Sequence, residues 1–524
     1  MRNLWKVFLI FPAAVAADIA VNHKAPGDAG APVLHPFVSF SIELAFFPDF
    51  AGNKTHPNHF SNQLLENLEK LQGKKPYIRV GGNTQDYALF DPDLKVATNG
   101  TIIPSISTDW PRILYIGPSF FESYSTWPGT KFIHGFNLGK NSTEDLKLLL
   151  DTVPLACEAL QDGKLANWEL GNEPDLFRTS GNGIVRPGNW TEQAYVNEWQ
   201  TKVEMLTQKM REYCPQLAEK KWMAPSFAGV TNSLNPVVTW REGLNAKRNI
   251  ALNSEHNYIG GATQPGVTLQ KTLMNHTMTV QSVAKHVNVS RILNEENLAA
   301  GIPYILGEMN SLYRQGAPGL SNSFGAALWG VDFNLYCASQ NIRRSHMHQG
   351  TNYRYSSWQP VETNDTTLGT KAPYYGNVMV AAMLRGEDNV QVANIPLDKD
   401  TEAAYAVYVN GNLARIAVIN MVEFNYTTPN AHSDQTPARP VSKYSFRLSS
   451  SAPPRISVQR LMANGSNAVS GITWDGWSYN YELDKGKPVR LHNVTVGEVA
   501  VTDNSVVEID VPHSSAVILD LQQP

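Results

Sequence analysis

Two glutamates stand at the ends of apolar segments, where they could carry acid–base or nucleophilic chemistry. The first is Glu173 in the segment 167–175, with Pro174 directly after it. Because proline cannot donate a backbone hydrogen bond, a central strand should stop there and leave Glu173 at its tip. The second is Glu308, which ends the apolar segment 301–308. Parallel α/β folds bind ligands at the carboxyl ends of their strands, so both glutamates are candidates for an active site.

A pair of carboxyl groups suits the hydrolysis of a glycosidic bond. Retaining glycosidases hold two carboxyl groups about 5–5.5 Å apart. One stays protonated and assists the departure of the leaving group, while the other attacks the anomeric carbon. This chemistry needs no metal or other cofactor, and we expect none, since the sequence has no ligand cluster with suitable spacing. Either glutamate alone could be a solvated loop residue, so the prediction depends on the elements that position the pair.

Strand-like and helix-like segments alternate over residues 32–386 and predict a (β/α)8 TIM barrel, an α/β fold. Helical patterns cover residues 59–71, 143–160, 191–212, 321–338 and 374–384. The eight strand candidates are 33–44, 76–82, 132–138, 166–173, 221–226, 250–258, 303–308 and 341–349. By this count Glu173 ends the fourth strand and Glu308 the seventh. In a barrel of eight strands these two tips face each other across the mouth.

The remainder of the chain, residues 387–524, has a different pattern. Short alternating runs are separated by Gly, Asn, Asp and Pro, which is typical of an antiparallel β-sandwich. The strand candidates are 403–409, 414–420, 443–448, 455–461, 505–511 and 516–521. We expect residues 18–31 to supply one more strand to this second domain.

The N-terminus predicts export. Basic residues precede an apolar run over 7–15, and small residues at 14–16 fit a cleavage site, so we interpret residues 1–17 as a signal peptide. No later apolar run reaches the roughly 20 residues of a membrane span. Asn-x-Ser/Thr sequons suggest a glycosylated, secreted protein. They stand at Asn53, Asn99, Asn141, Asn189, Asn275, Asn288, Asn364, Asn425, Asn464 and Asn493.

Charge and cysteine content narrow the function classes further. The formal net charge of the 524 residues is −4, which gives no electrostatic reason to expect nucleic acid or an anionic membrane as a partner. The three cysteines, Cys157, Cys214 and Cys337, are too few for a disulfide framework and match no zinc pattern. At most one disulfide can form, and the sequence leaves open whether Cys157 pairs with Cys214.

Further motifs accompany the two glutamates. Tyr77–Asp91 reads YIRVGGNTQDYALFD, and Gly307-Glu308 is followed by Tyr313 and by Gly316-Ala317-Pro318. Thr351-Asn352-Tyr353 then precedes Tyr374-Tyr375 on the last barrel helix. With these motifs in this order, the sequence resembles glycoside hydrolase family 79, the β-glucuronidases and heparanase-like enzymes of clan A. The resemblance covers the barrel well and the sandwich only in outline.

The resemblance implies roles for the residues nearest the chemistry. Glu173 would be the general acid/base and Glu308 the nucleophile. Asn172 would hydrogen-bond the 2-hydroxyl of the sugar. Arg79 would lie under the nucleophile and help to keep it ionised. Glu43, at the end of the first strand, would grip sugar hydroxyls, although it could also be a solvated loop residue.

The resemblance also implies residues that bind the substrate. Tyr313 and Tyr353 would bind the uronate carboxylate with their hydroxyls, and His256 and Tyr258 would line the site beside the nucleophile. Asn83 would occupy another subsite. Ordinary structural roles stay open for three of them: Tyr353 in an aromatic rim, His256 as a core histidine and Asn83 as a turn residue.

One departure from the family pattern concerns Arg314 and Gln315, which stand where the family has two glycines. Their backbone donors remain but the space is reduced, and Arg314 could make a charge-assisted contact with the uronate. Whether a 4-O-methyl group is tolerated stays open.

From these observations we predict a secreted exo-β-glucuronidase that removes terminal glucuronate from a glycan such as arabinogalactan. The chain lacks the basic balance and the processing insert of heparanase, which favours exo over endo action. An endo-β-glucuronidase remains an alternative. A clan A glycosidase with a neutral substrate is a second alternative, which would be favoured if Tyr313 and Tyr353 did not converge on the subsite that binds the cleaved sugar. A third alternative, from a different class, is an inactive glycan-binding protein.

Overall fold

The computed structural model describes residues 18–179, 185–426, 438–449, 452–492 and 494–522. The predicted signal peptide, residues 1–17, and the sequon at Asn493 lie outside these ranges. Within them, no helix combines the length and the apolar character that a membrane span requires.

Eight parallel strands close into a barrel and confirm the predicted (β/α)8 architecture. In chain order they are Val38–Glu43, Ile78–Gly81, Phe132–Phe136, Leu165–Leu170, Trp222–Phe227, Ile250–Gly261, Tyr304–Tyr313 and Ser345–Gln349. Each strand pairs with the next, and the eighth pairs with the first. Strands buried on both faces read as near-continuous apolar runs, which explains why the sequence reveals them.

The seventh strand is longer than the sequence indicates. It continues past Glu308 to Tyr313, because the sixth strand also continues to Gly261 and pairs with it throughout. Glu308 therefore lies within its strand, whereas Glu173 lies in the loop just after the fourth strand.

The helices between the strands are mostly where the sequence predicts them. They are His59–Gln72, Thr143–Asp151, Val153–Leu160, Glu192–Tyr213, Pro236–Arg241, His276–Glu295, Phe324–Ser339 and Ala372–Leu384. Shorter helical turns cover Leu44–Phe46, Phe47–Ala51, Asn83–Asp86, Pro118–Ser125, Pro174–Leu176, Pro215–Ala218 and Leu269–Leu273. A capping box between Ser142 and Asp145 starts the helix at Thr143. The helix His276–Glu295 is absent from the prediction because its buried residues are diluted by polar ones.

The connection after the second barrel strand carries a small sheet of its own. It forms a three-stranded sheet in the order Ala88–Phe90, Ile113–Ile116, Thr98–Thr101. Within it, Trp110 stacks on Tyr87 with ring centroids 5.5 Å apart. This connection thus brings aromatic and charged side chains to the mouth of the barrel.

The second domain is a sheet domain with mostly antiparallel pairing. Its main strands are Val390–Ile395, Glu402–Val409, Asn412–Asn420, Val441–Arg447, Arg455–Met462, Glu498–Asp503, Val506–Pro512 and Ser515–Asp520. Shorter strands at Thr473–Trp474, Trp477–Ser478 and Val489–Arg490 extend it, with a helical turn at Tyr481–Asp484. Near the N-terminus, Ile19–Ala20 pairs in parallel with Val441–Arg447.

The two domains pack closely together. The helices Phe324–Ser339 and Ala372–Leu384 are buried along their whole length, since the sheet domain covers the side that faces away from the barrel strands. Polar contacts cross the same interface: Tyr405 donates its hydroxyl to Asp332 Oδ1 at 2.6 Å. A disulfide within the barrel joins Cys157 to Cys214, and Cys337 is a buried free cysteine.

Candidate active site

Glu308 is held by groups that lie beneath and beside it in the barrel. Its Oε2 accepts a hydrogen bond from Arg79 Nη1 at 2.7 Å, and its Oε1 accepts one from the Tyr258 hydroxyl at 2.8 Å. His348 Nδ1 lies 3.5 Å from Oε2. With only 5% of the residue exposed, these partners replace the water that a carboxylate would otherwise bind.

Arg79 organises the bottom of the site. Its fully buried guanidinium donates to Glu169 Oε2 at 2.8 Å and to Asn172 Oδ1 at 2.8 Å, in addition to Glu308. A planar group with five donors can fix several partners at once, so one arginine sets the relative positions of the Glu308 carboxylate and the Asn172 amide. This geometry agrees with the position under Glu308 that the resemblance implies.

The surroundings of Glu308 favour its ionised form. Burial alone would raise the pKa of this carboxyl, but the nearby positive charges of His348 and Arg79 and the Tyr258 hydroxyl lower the pKa below its usual range. His256 contributes no charge under ordinary conditions, because burial lowers its own pKa to about 4. An ionised carboxylate is the form that a nucleophile requires.

Glu173 is held in a different way. Its backbone is left-handed, with φ 50° and ψ 46°, a conformation that costs free energy for a residue with a Cβ. The backbone N–H donates to the carbonyl of Ser226 at 2.9 Å and fixes this turn. On the side chain, Oε1 lies 3.0 Å from His256 Nδ1. The turn therefore aims the carboxyl at His256 of the sixth strand, close to Glu308.

The same surroundings favour the protonated form of Glu173. Burial raises its pKa, and the negative charge of Glu308 raises it further. A carboxyl that keeps its proton near neutral pH can act as a general acid. The two glutamates thus differ in the direction that their roles demand.

The two carboxyl groups are close together. One oxygen of Glu173 and one of Glu308 lie within 4.8 Å of each other, and a ring nitrogen of His256 lies within the same distance of both. An oxygen–oxygen distance of at most 4.8 Å agrees with the closely spaced carboxyl groups of retaining glycosidases, about 5–5.5 Å apart, rather than with the roughly 6.5–9.5 Å of inverting ones. Three such ligands could approach one cation, but we assign no metal, because paired carboxyl groups hydrolyse glycosides unaided.

Glu43 is the last residue of the first strand, and His348 lies between it and Glu308. Its Oε1 accepts hydrogen bonds from the backbone and the hydroxyl of Thr84, at 2.8 and 2.6 Å. Its Oε2 accepts one from the Tyr353 hydroxyl at 3.2 Å. Gly82 permits this approach, because a Cβ there would lie 2.5 Å from Glu43 Oε1 and its φ is 89°. Glu43 is fully buried.

Asn172, which precedes Glu173, is connected to the turn Asn83–Asp86 that follows the second strand. Its amide nitrogen lies 3.4 Å from Asn83 Oδ1, and its backbone N–H donates to Asp86 Oδ2 at 2.7 Å. Asp86 also accepts from two backbone N–H groups, those of Leu138 and Gly139. Burial raises the pKa of Asp86 to about 6 despite these donors. Asn83 therefore lies next to Asn172.

The predicted uronate-binding residues lie in different settings. Tyr353 is fully buried and reaches Glu43. Tyr313 ends the seventh strand, is 45% exposed and lies over Gly261. Arg314 and Gln315 follow it with φ of 62° and 59°, so the left-handed turn that two glycines would favour is kept by residues that carry side chains. The geometry brings Tyr353 into the cluster around Glu43 and Glu308 and places Tyr313 at its outer edge.

Sequence reasoning missed several members of this site. The prediction did not include His348, Asp86 or Tyr355. The hydroxyl of Tyr355 lies 3.5 Å from that of Tyr258. For His348 the signal was its position: it lies next to the last residue of the eighth strand, at the same edge of the barrel as Glu43.

Comparison with known proteins identifies the family to which the chain belongs. Residues 404–518 match the family described as the glycosyl hydrolase family 79 C-terminal beta domain. A β-glucuronidase of Aspergillus niger is 70% identical over 510 residues, covering 97% of this chain and 94% of that protein. A β-glucuronidase of Neurospora crassa is 51% identical over 512 residues, covering 92% and 90%.

A solved structure shares the whole architecture. The 4-O-α-L-rhamnosyl-β-D-glucuronidase of Fusarium oxysporum, in a Rha-GlcA complex, superposes with a TM-score of 0.76 over 96% of this chain and 100% of that one, at 23% identity. This similarity confirms the fold of barrel and sheet domain. The identity to the two fungal β-glucuronidases over nearly the full length, with the match to the family's C-terminal domain, establishes that the chain belongs to glycoside hydrolase family 79.

Proposed function

We propose that the protein is a retaining exo-β-glucuronidase that releases terminal β-linked glucuronate from glycans. The observation that carries this proposal is the pair Glu173 and Glu308, whose oxygens lie within 4.8 Å and whose pKa values are shifted in opposite directions. The sugar specificity is supported by the relatives, which carry the name β-glucuronidase.

The reaction proceeds by double displacement. Glu308 attacks the anomeric carbon while Glu173 gives its proton to the glycosidic oxygen, so the bond to the leaving group breaks and a glycosyl–enzyme ester forms. Glu173, now ionised, takes a proton from water, and the resulting hydroxide displaces Glu308. Two inversions give net retention, and both glutamates return to their starting states.

The other residues of the site orient the sugar. Asn172, fixed by Arg79 and Asp86, is placed to hydrogen-bond the 2-hydroxyl, a contact that strengthens in the transition state. Glu43 is placed to accept hydrogen bonds from sugar hydroxyls. For the uronate carboxylate we propose the buried Tyr353, which reaches Glu43, together with Tyr313 and the backbone and side chain of Arg314 at the end of the seventh strand.

Exo action is supported by the walls of the mouth. Arg354, in the loop after the eighth strand, forms an ion pair with Asp109 in the large connection after the second strand, with 2.5 Å between Nη1 and Oδ1. Tyr87, Trp110 and Tyr355 belong to one buried aromatic cluster with Tyr353, which lies in the same loop as Arg354. We infer that the ion pair and the aromatic cluster form a wall on one side of the site, which would suit the end of a glycan better than its interior.

We also propose that the protein acts outside the cell, on a glucuronate-bearing polysaccharide such as arabinogalactan. The apolar N-terminal run, the sequons and the disulfide between Cys157 and Cys214 support export, because disulfides persist in oxidising compartments. The formal charge of −4 supports a glycan without dense sulfation rather than a strongly anionic polymer.

The test is hydrolysis of p-nitrophenyl β-D-glucuronide beside the matching β-D-glucoside and β-D-xyloside, with proton NMR of the first-formed sugar. We expect release from the glucuronide alone, with the β-anomer appearing first. Hydrolysis of a neutral glycoside would overturn the uronate assignment, and an α-anomer appearing first would overturn the retaining mechanism. Inactivity on all three, together with cleavage inside a uronate polymer, would show endo action.

A further inference from the structure

His348 occupies a position that the reaction described above does not use. It is the next-to-last residue of the eighth barrel strand and is 98% buried. In the parallel register it lies opposite Ser41 of the first strand, and its Nδ1 is 2.9 Å from Ser41 Oγ. Its imidazole is therefore fixed between the first and seventh strands, at the level of the chemistry.

The imidazole lies between two carboxylates. Nε2 is 3.5 Å from Glu43 Oε2, and Nδ1 is 3.5 Å from Glu308 Oε2. A doubly protonated ring has an N–H on each of these nitrogens and no acceptor, so it can face both carboxylates at once. A neutral ring would turn a lone pair towards one carboxylate and lose that contact.

The charges around His348 favour a cation at this point. In the described part of the chain, no other cationic side chain lies within 4.0 Å of Glu43. Arg79 is already shared between Glu169 and Glu308. The titratable groups that face His348 from the surrounding elements are Glu43, Arg79, Glu173, His256, Glu308, Tyr353 and Tyr355.

We propose that His348 is a positioning residue that acts as the second cation of this site, bridging Glu43 to Glu308 so that the nucleophile stays ionised and the sugar-binding carboxylate stays in register with it. The inference rests on the proposed function, since it assigns to His348 a part in setting the pH range of that reaction. Burial opposes the charge, but the two carboxylates raise the pKa of His348 above its ordinary value.

The loss of this cation has a predictable sign. Without a positive charge beside it, Glu308 binds a proton more tightly, so the acid limb of the pH profile moves to higher pH. The same charge also lowers the pKa of Glu173, so the basic limb moves in the same direction. A residue that only filled space would lower the rate without moving either limb.

The variant for the test is His348→Gln, and the matched control is His346→Gln. His346 lies two residues earlier on the same strand, is equally buried, and places its Nδ1 3.4 Å from the carbonyl oxygen of Phe40 rather than beside a carboxylate. From kcat/KM for p-nitrophenyl β-D-glucuronide against pH, we expect both limbs of His348→Gln to move up by about one to three pH units. The limbs of His346→Gln should stay in place. Unmoved limbs in a folded His348→Gln variant would overturn the proposal.

A second measurement does not depend on activity. NMR of protein with 13C-labelled histidine, assigned by the resonance missing from His348→Gln or, if that variant does not fold, from His348→Asn, gives the titration of His348 directly. We expect its midpoint above the ordinary histidine pKa, and a midpoint at or below that value would overturn the proposal. If the wild-type protein does not hydrolyse the glucuronide, the proposed function fails, while the titration still decides the charge of His348.

Discussion

The two glutamates of the site lie within 4.8 Å of each other, yet the chain supports them in contrasting ways. Glu308 belongs to a regular strand, and its oxygens meet Arg79 and Tyr258. Glu173 lies on a left-handed turn outside its strand, and its oxygen meets an uncharged His256. The difference shows how one barrel can keep one carboxyl ionised and the other protonated: cations and donors contact Glu308 directly, whereas Glu173 is buried and its nearest partner is uncharged.

Glu308→Gln should have the largest effect, because it removes the nucleophile and leaves the amide against Arg79. We expect kcat/KM for p-nitrophenyl β-D-glucuronide to fall by on the order of 10⁴-fold or more. The thermal unfolding midpoint of the same variant is the control for folding. Activity within tenfold of wild type in a folded variant would exclude Glu308 as the nucleophile.

Glu173→Gln should have an effect that depends on the leaving group. A sugar hydroxyl needs a proton to depart, so we expect a loss of about 10²- to 10⁴-fold on a glycan substrate. p-Nitrophenolate leaves without that help, so the first step on the aryl glucuronide should suffer much less. Burst kinetics with both substrates measure the contrast. Equal losses of activity on the glycan and on the aryl glucuronide would show that Glu173 is not the general acid.

The pH profile of Glu173→Gln sharpens the same comparison. In the wild type, activity should be lost as pH falls through the pKa of Glu308, which is lowered, and as pH rises through that of Glu173, which is raised. The variant should keep the acid limb and lose the basic one. A basic limb that survives unchanged would belong to another group.

Tyr258→Phe should have an intermediate effect. It removes the hydroxyl that donates to Glu308 Oε1, and a hydrogen bond to a charged group is worth about 1.5–3 kcal/mol, so we expect roughly a 10- to 100-fold loss and an acid limb at higher pH. Tyr304→Phe is the matched control, since Tyr304 is buried in a neighbouring strand and bonds His286 instead. A similar loss in both variants would point to a general packing defect.

Asp109→Asn should have the smallest effect. It weakens the ion pair with Arg354 at the mouth and touches neither glutamate. Partly exposed ion pairs contribute about 0.2–1 kcal/mol, so kcat/KM for the aryl glucuronide should change by less than about fivefold, with both pH limbs in place. A shift of either limb would show that the mouth and the carboxyl pair are electrostatically coupled.

The sequence predicted the barrel and its glutamates because both depend on local patterns. Apolar runs that end in Pro174 or Gly82 are visible without an alignment, and so is the order of the strands. The parts that could not be predicted depend on contacts between residues that are far apart in the sequence. His348 acquires its setting only when the eighth strand closes on the first, and Asp86 only when the fourth-strand loop reaches the second-strand turn.

The extent of the seventh strand escaped prediction for a similar reason. Its outer half, from Met309 to Tyr313, carries polar residues and reads as a loop, but pairing with the extended sixth strand keeps it regular. Backbone pairing with a neighbour is a tertiary property, and it overrides the local preference of these residues. The left-handed turn at Arg314 and Gln315 follows directly from where this strand ends.

The burial of the helices Phe324–Ser339 and Ala372–Leu384 on every side has a practical consequence for anyone who wishes to shorten or recombine this enzyme. A fragment ending at residue 386 would expose two apolar helices to water, and exposed patches of that kind promote aggregation. The sheet domain therefore covers apolar helices of the catalytic domain and is part of its hydrophobic core rather than an accessory module. A chimera should therefore exchange both domains together, or its design should replace the apolar residues on the helix faces between them.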